Sequence, residues 1–216
     1  MENKEMIGKL GDEDIMFIDH LNGKKLSIYN VIKRIIDIIG SLCGITVFSP
    51  IFIITAILIK IESKGSIIFK QLRIGKNSKP FYIYKFRSMK TDAPNIATND
   101  LVDPDFYITK VGKFIRKTSI DELPQLFNIL KGDMSIVGPR PVIDKEHELL
   151  ELRRDNYVDK IIPGITGWAQ INGRDNLGAE EKVKYDTDYL HKRSLIFDLY
   201  IIVMTVLKVL KRSDIK

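Results

Sequence analysis

Two adjacent carboxylates, Asp121 and Glu122, stand in the segment Ser119-Ile120-Asp121-Glu122-Leu123-Pro124 with bases on either side: Arg116 and Lys117 upstream, Arg140 downstream. Carboxylates mixed with guanidinium groups suit phosphate chemistry. Arg grips phosphate oxygens in a forked geometry, and a helix N-terminus offers its unpaired N–H groups to the same anion. Mg²⁺ takes one or two carboxylates and completes its shell with phosphate oxygens and water, so such a pair can share the ion with a diphosphate. One carboxylate of such a site can also attack phosphorus directly. A purely structural reading stands beside this one. Ser-x-x-Glu is a capping box, in which Ser119 and Glu122 would satisfy the first N–H groups of a helix. The six residues alone do not choose. Lys85 and Arg87, in Tyr84-Lys85-Phe86-Arg87, offer further phosphate contacts.

The elements that must hold these residues read as follows. Ser66 to Met89 contains two β-rich runs, Ile67-Ile68-Phe69 and Phe81-Tyr82-Ile83-Tyr84, around a turn-rich Gly75 to Pro80, which predicts a hairpin with a long loop. Thr91 to Asp105 is polar, holds Pro94 and Pro104, and reads as a loop. Ser119 to Leu130 predicts a helix, closed by Gly132 and the Gly138-Pro139-Arg140-Pro141 turn. Lys145 to Asp159 and Glu180 to Lys192 predict helices, and Ile161 to Asn172, with Pro163, Gly164 and Gly167, irregular or extended backbone. No repeat and no second domain is visible. The expectation is a helix-rich α+β domain.

Upstream, Ile38 to Ile59 carries no formal charge and is mostly Ile, Leu, Val, Phe and Ala. As one straight helix it would reach about 33 Å, enough to cross the hydrocarbon core of a bilayer. Pro50, preceded by Ser49, falls near its middle, where proline removes a hydrogen bond and kinks the axis. Lys24, Lys25, Lys33 and Arg34 precede the run, and Lys60, Lys64, Lys70 and Arg73 follow it. Positive charge marks the cytoplasmic side of a membrane, and both flanks carry it. A helix–break–helix that dips in and returns satisfies both flanks. The expected layout is a tail over 1–30, a re-entrant membrane helix over 31–61 broken at Ser49-Pro50, and a catalytic domain over 62–216. A second apolar segment, Leu195 to Leu210, is interrupted by Asp198 and Lys208 and reads equally as an interfacial or a core helix. Residues 1–30 are polar and do not read as a cleaved signal peptide.

Composition narrows the partners without choosing one. Lys plus Arg outnumber Asp plus Glu by 34 to 28, a net charge of +6, which suits nucleic acid, an anionic membrane face or a phosphorylated small molecule. The single cysteine, Cys43, rules out an intrachain disulfide and a Cys-based metal site, and its apolar neighbours predict a small buried hydrophobe.

Taken in order, Lys33-Arg34-x-x-Asp37, Phe48-Ser49-Pro50, Tyr84-Lys85-Phe86-Arg87-Ser88-Met89, Ser119 to Leu126, Gly132 to Pro141 and Pro163 to Arg174 closely resemble the bacterial sugar transferase family, the monotopic phosphoglycosyl transferases. The resemblance covers roughly Val31 to Arg212. It implies transfer of a sugar 1-phosphate from a UDP-sugar to undecaprenyl phosphate, with release of UMP, at the cytoplasmic face of the bacterial inner membrane. It also implies a re-entrant helix broken at Ser49-Pro50, Asp121 as the nucleophile that carries the phosphosugar, and Glu122 with Mg²⁺ in support. Lys85, Arg116, Arg140 and Arg174 match basic positions of the family's site and are expected to bind phosphates. The resemblance is to the short form of the family, which is expected to lack the extra transmembrane bundle of longer members.

His20, His147 and His191 match no ligand spacing. Trp168 reads as packing in preference to sugar stacking, and Asp186, Asp188 and Tyr189 are given no catalytic role. Two rival readings stay open: a glycosyltransferase that releases UDP, and a membrane-anchored scaffold or nucleic-acid binder. No nucleic-acid recognition element stands out. The sugar, the glycan pathway and homo-oligomerisation are left open.

Overall fold

The computed structural model describes residues 12–93, 104–173 and 176–211, with side chains from residue 28 onward. The chain divides into two units, Met1–Ile36 and Asp37–Lys216. Helix α1 (Asp12–Glu62) begins in the first, where Ile28, Val31, Ile35 and Ile36 are exposed. The helix therefore starts well inside the segment expected to be a tail.

From Asp37 onward α1 is arranged inside out. Its buried polar residues Asp37, Ser41 and Thr55 face the rest of the second unit, while Ile39, Leu42, Val47, Ile53, Ile54, Ile57 and Ile61 are exposed. A soluble helix shows the opposite pattern. The inward stripe recurs every three to four residues. Asp37 Oδ1 accepts the Ile136 amide at 2.9 Å, Gly44 lies against Leu126, Phe52 stacks edge-on with Phe86 and Phe127, and Ile59 is fully buried. Ile28–Glu62 is long and apolar enough to cross a membrane, and 11% of its most apolar stretch is buried. Cys43 is exposed on this outward surface, so its apolar neighbourhood is a surface facing outward and not a core.

Ser49-Pro50 does not end the helix: α1 stays helical on both sides of Pro50. Proline cannot donate to the carbonyl four residues back. The Ser49 hydroxyl donates to that carbonyl, Thr46 O, at 2.8 Å and so supplies the bond that Pro50 lacks.

The hairpin forms as β1 (Ile68–Ile74) and β2 (Pro80–Phe86), antiparallel, with Lys70 opposite Tyr84 and Arg73 opposite Phe81. Asn77 and Ser78 turn the chain in the left-handed region. The outer edge of β2 is closed by one buried side chain: Asn128 Oδ1 accepts from Tyr84 N at 2.9 Å, and its Nδ2 donates to Tyr82 O at 2.7 Å. A short helix α2 (Pro104–Tyr107) precedes α3 (Lys110–Lys117). The first N–H groups of α3 are satisfied from two sides. Thr109 accepts from Gly112, and Glu62, the last residue of α1, accepts from Lys110 and Val111 at 2.7 and 2.9 Å.

After the dyad come α4 (Gln125–Lys131), closed by left-handed Gly132, then β3 (Ser135–Val137), α5 (His147–Asp155), β4 (Gly164–Thr166), α6 (Trp168–Asn172), α7 (Ala179–Lys192) and α8 (Leu195–Lys211). β3 and β4 pair in parallel, Ser135 with Gly164 and Val137 with Thr166. Of the segment expected to be irregular or extended, Gly164–Thr166 is the extended part, and Trp168–Asn172 is a short helix instead. Backbones meet closely here: a Cβ on Gly138 would lie 2.4 Å from Ile162 O, and one on Gly164 would lie 2.1 Å from Gly138 N. Trp168 packs against Tyr185 and Phe197, in line with a packing role. Helix α8 is buried along one face only. Ile201 is fully buried in the core with Val137 and Tyr189, while Ile196, Leu199, Val203 and Val206 are exposed.

Candidate active site

Asp121 and Glu122 lie in a single 3₁₀ turn, Ile120–Glu122, between α3 and α4. Three residues per turn stack position i over i+3. Ile120 and Leu123 accordingly share one face and pack onto the cluster of Ile59, Phe86 and Ile115, leaving the carboxylates on the other sides. The capping box expected for Ser119 and Glu122 does not form. Ser119 is left-handed (φ 55°), makes no side-chain cap, and α4 begins after Pro124. Ser119 is the corner that lets the chain reverse out of α3, and Glu122 turns its side chain to the bases.

Glu122 Oε1 receives Lys85 Nζ at 2.8 Å and Arg140 Nη2 at 3.4 Å. Lys85 projects from β2, which Asn128 ties to α4, so strand and dyad keep a fixed spacing. Asp121 is pushed up to about 6, first by burial and then by its neighbour Glu122, against the pull of Lys85 and Arg116. The two carboxylates therefore differ in setting: Glu122 is committed to cations, whereas the Asp121 carboxyl is held above the usual carboxylate range. A basic carboxylate is the better nucleophile.

The structure brings together Asp121, Glu122, Lys85, Arg116 and Arg140. Arg174 lies outside the described residues. Arg87 does something else: it is buried, and its guanidinium donates to Ser63 O, Ser63 Oγ and Lys64 O at 2.8–2.9 Å, closing the C-terminus of α1. Arg73, absent from the sequence-based set, reaches the same cluster from the end of β1. It donates to Pro141 O at 3.3 Å and Gln71 Oε1 at 2.7 Å, and burial followed by Arg140 lowers its guanidinium to about 10. Its one sequence signal is its place on the hairpin that also carries Lys85.

Among the described residues no group of three or more His, Cys, Asp or Glu could enclose a metal ion. An all-protein cage is thus not formed by these residues. Two adjacent carboxylates within a basic cluster do fit Mg²⁺ of the kind that takes most of its shell from phosphate and water.

Residues 28–212 match the family described as bacterial sugar transferase. The chain belongs to that family. It is 41% identical over 204 residues to a UDP-N-acetylgalactosamine-undecaprenyl-phosphate N-acetylgalactosaminephosphotransferase of Aeromonas hydrophila, covering 89% of this chain and 48% of that protein. It is 41% identical over 185 residues to a UDP-glucose:undecaprenyl-phosphate glucose-1-phosphate transferase of Escherichia coli, covering 82% of this chain and 40% of that one. The chain thus spans less than half the length of these two relatives. An uncharacterized sugar transferase of Bacillus subtilis is 41% identical over 186 residues, with 86% of this chain and 91% of that protein covered. The whole site described above falls inside the sugar transferase match.

Proposed function

We propose that this chain transfers a sugar 1-phosphate from a UDP-sugar to undecaprenyl phosphate, releases UMP, and works through a phosphosugar held on Asp121. The observation that carries the proposal is the asymmetric dyad: Asp121 pushed up to about 6 beside a Glu122 bonded to Lys85 and Arg140. In the first step an Asp121 carboxylate oxygen attacks the phosphorus that bears the sugar. The bond from that phosphorus to the bridging oxygen breaks, and UMP leaves with the bridging oxygen. In the second step a phosphate oxygen of the lipid attacks the same phosphorus, and the Asp121 carboxylate is released. Each step exchanges one P–O bond for another, so no oxidant or added proton donor is needed.

Lys85 and Arg140, already turned toward Glu122, are placed to share their donors with the transferring phosphate, and Arg116 lowers the cost of charge at Asp121. Mg²⁺, held by Asp121 and Glu122, would neutralise charge on the diphosphate. We assign Arg174 to the same phosphate-binding set. Two separate displacements mean that nucleotide and lipid need not be bound together, so ping-pong kinetics follow.

The site is assigned to the cytoplasmic face of the inner membrane, with α1 entering the bilayer and returning. The packing of α1 supports this. Asp37, upstream of Pro50, and Ile59 and Glu62, downstream of it, contact the same folded body. A helix that crossed the membrane between Asp37 and Ile59 would put those two positions on opposite faces, with no such common partner. The deciding experiment is a panel of UDP-sugars with Mg²⁺ and undecaprenyl phosphate, read by the nucleotide released. UMP supports the proposal; UDP, or no turnover with every sugar, overturns it.

A further inference from the structure

The loop that presents Arg140 is built from Pro139, Arg140, Pro141 and Val142, and two of these residues have no N–H to offer. Their four carbonyls are taken, one after another, by four donors from three elements, β1, β4 and α5. Pro139 O accepts from Gly164 N at 2.9 Å and Val142 O from Ile74 N at 2.8 Å, both backbone groups. Pro141 O accepts from Arg73 Nη1 at 3.3 Å, and Arg140 O itself accepts from Arg153 Nη1 at 2.8 Å.

Arg153 is the buried member of this set. It stands in α5, and its Nε and Nη2 both donate to Asp186 Oδ2 of α7, at 3.1 and 2.7 Å. The two side chains are 10% and 1% exposed. A guanidinium carries a rigid planar fork, so two bonds to one carboxylate oxygen fix the plane of the group and the direction of its remaining donors. Here one of those remaining donors points at the Arg140 carbonyl. Burying such an ion pair is costly, and apolar side chains of similar volume commonly fill the same space with no loss of stability. The pair therefore needs a reason beyond packing, and the bond to Arg140 supplies one.

We infer that Asp186 and Arg153 are positioning residues for Arg140: Asp186 orients the Arg153 guanidinium, which fixes the Arg140 backbone and so aims its side chain at Glu122 and the substrate phosphates. The inference rests on the reading of Arg140 as a phosphate-binding residue. A lysine at 153 keeps the charge and loses the fork, because one ammonium cannot hold the carboxylate in two directions and also fix a carbonyl through a rigid plane. Asp186 and Arg153 act through Arg140 and touch no reacting atom.

The test uses the full chain in detergent with Mg²⁺ and measures UDP affinity by titration calorimetry, with thermal unfolding alongside. UDP is the probe because its diphosphate is common to every UDP-sugar. Arg140→Ala is expected to weaken UDP binding tenfold or more, and Asp186→Asn about three- to tenfold. The double variant Asp186→Asn/Arg140→Ala is expected to bind no more weakly than Arg140→Ala alone, because the positioning has nothing left to position. Asp186→Leu/Arg153→Met removes the fork without stranding a buried charge. It is expected to melt at or above the wild-type temperature while binding UDP as weakly as Asp186→Asn. Wild-type affinity in that paired variant, or losses that multiply in the double variant, would overturn the inference. Wild-type affinity in Arg140→Ala would instead overturn the phosphate-binding reading beneath it.

Discussion

Asp121→Asn is expected to end transfer and, at neutral pH, to make the protein more stable. Burial and Glu122 together push the Asp121 carboxyl from 3.8 to about 6, more than Lys85 and Arg116 pull it back. An acid whose folded-state pKa lies above its unfolded value binds its proton more tightly when folded. Stability is then lost as pH rises from about 4 to about 6, and the loss is complete above that window. A shift of about two units at about 1.4 kcal/mol each sets a ceiling of about 3 kcal/mol. Asp121 is partly exposed, and solvent screening brings the expected figure to about 1–2 kcal/mol. Asn keeps the shape and carries no charge, so it escapes the penalty. In a chain of this size about 1 kcal/mol moves Tm by about 2–4 °C, which predicts a variant melting about 2–8 °C above wild type at pH 7.5. The measurement is thermal unfolding in detergent with a chelator present, repeated from pH 4 to pH 8. The gap should close toward pH 4, where both side chains are neutral. A gap that stays constant across pH, or a wild type that melts higher at pH 7.5, refutes the account of Asp121 as a partly buried acid whose cationic neighbours only partly offset its burial. Turnover within tenfold of wild type in the same variant refutes its role as nucleophile.

Glu122→Gln should move the other way, lowering both activity and Tm, because it leaves Lys85 without the carboxylate it bonds at 2.8 Å; equal or higher Tm in that variant contradicts the contact. Ser119→Gly is expected to keep full activity and gain up to about 1 kcal/mol, since φ 55° suits glycine and no cap is lost. A loss of about 1 kcal/mol would restore the capping box. Asn128→Leu removes both bonds to β2 and strands the Tyr84 N–H and the Tyr82 carbonyl, and should cost about 2–4 kcal/mol, read as a fall in Tm. For topology, the exposed Cys43 must first be replaced; cysteines placed in the N-terminal segment and after Lys60 should then be labelled from the same side, and labelling from opposite sides would mean that α1 spans.

Much of the site was legible because its residues announce themselves locally. The hairpin reads from two β-rich runs around a turn, and the dyad from adjacent acids among bases. What stayed hidden depends on residues far apart in the chain. Arg153 and Asp186 each sit in a charged helix and look like solvated surface; the fold turns them toward each other and under Arg140. Asn128 reads as one more helical residue until β2 is laid beside it. Arg87 was expected at phosphate because it stands two residues from Lys85, but β2 ends at Phe86, and just past the strand the Arg87 guanidinium is taken up by the end of α1. The capping box failed because its pattern cannot report the backbone at Ser119, where a left-handed corner replaces the extended residue that a cap needs. Cys43 misled because an apolar run implies burial in protein, and here the run faces away from it.

Glu62 links two structures that a chart of elements keeps apart. It is the last residue of the helix with the apolar exterior, and its carboxylate holds the first amides of α3, the helix that carries Arg116 in its last turn just ahead of the dyad. In a bilayer the exposed face of α1 sets how deep that helix rides. Through Glu62 this depth becomes a fixed height for Asp121, measured from the hydrocarbon boundary. A lipid phosphate sits at a height of its own, dictated by the headgroup layer. On the proposed two-step transfer the anchor is therefore also a gauge: a bilayer thinner or thicker than the native one would shift the acceptor phosphate against Asp121 and slow the proposed second displacement, while the first, which draws its nucleotide from water, would proceed unchanged.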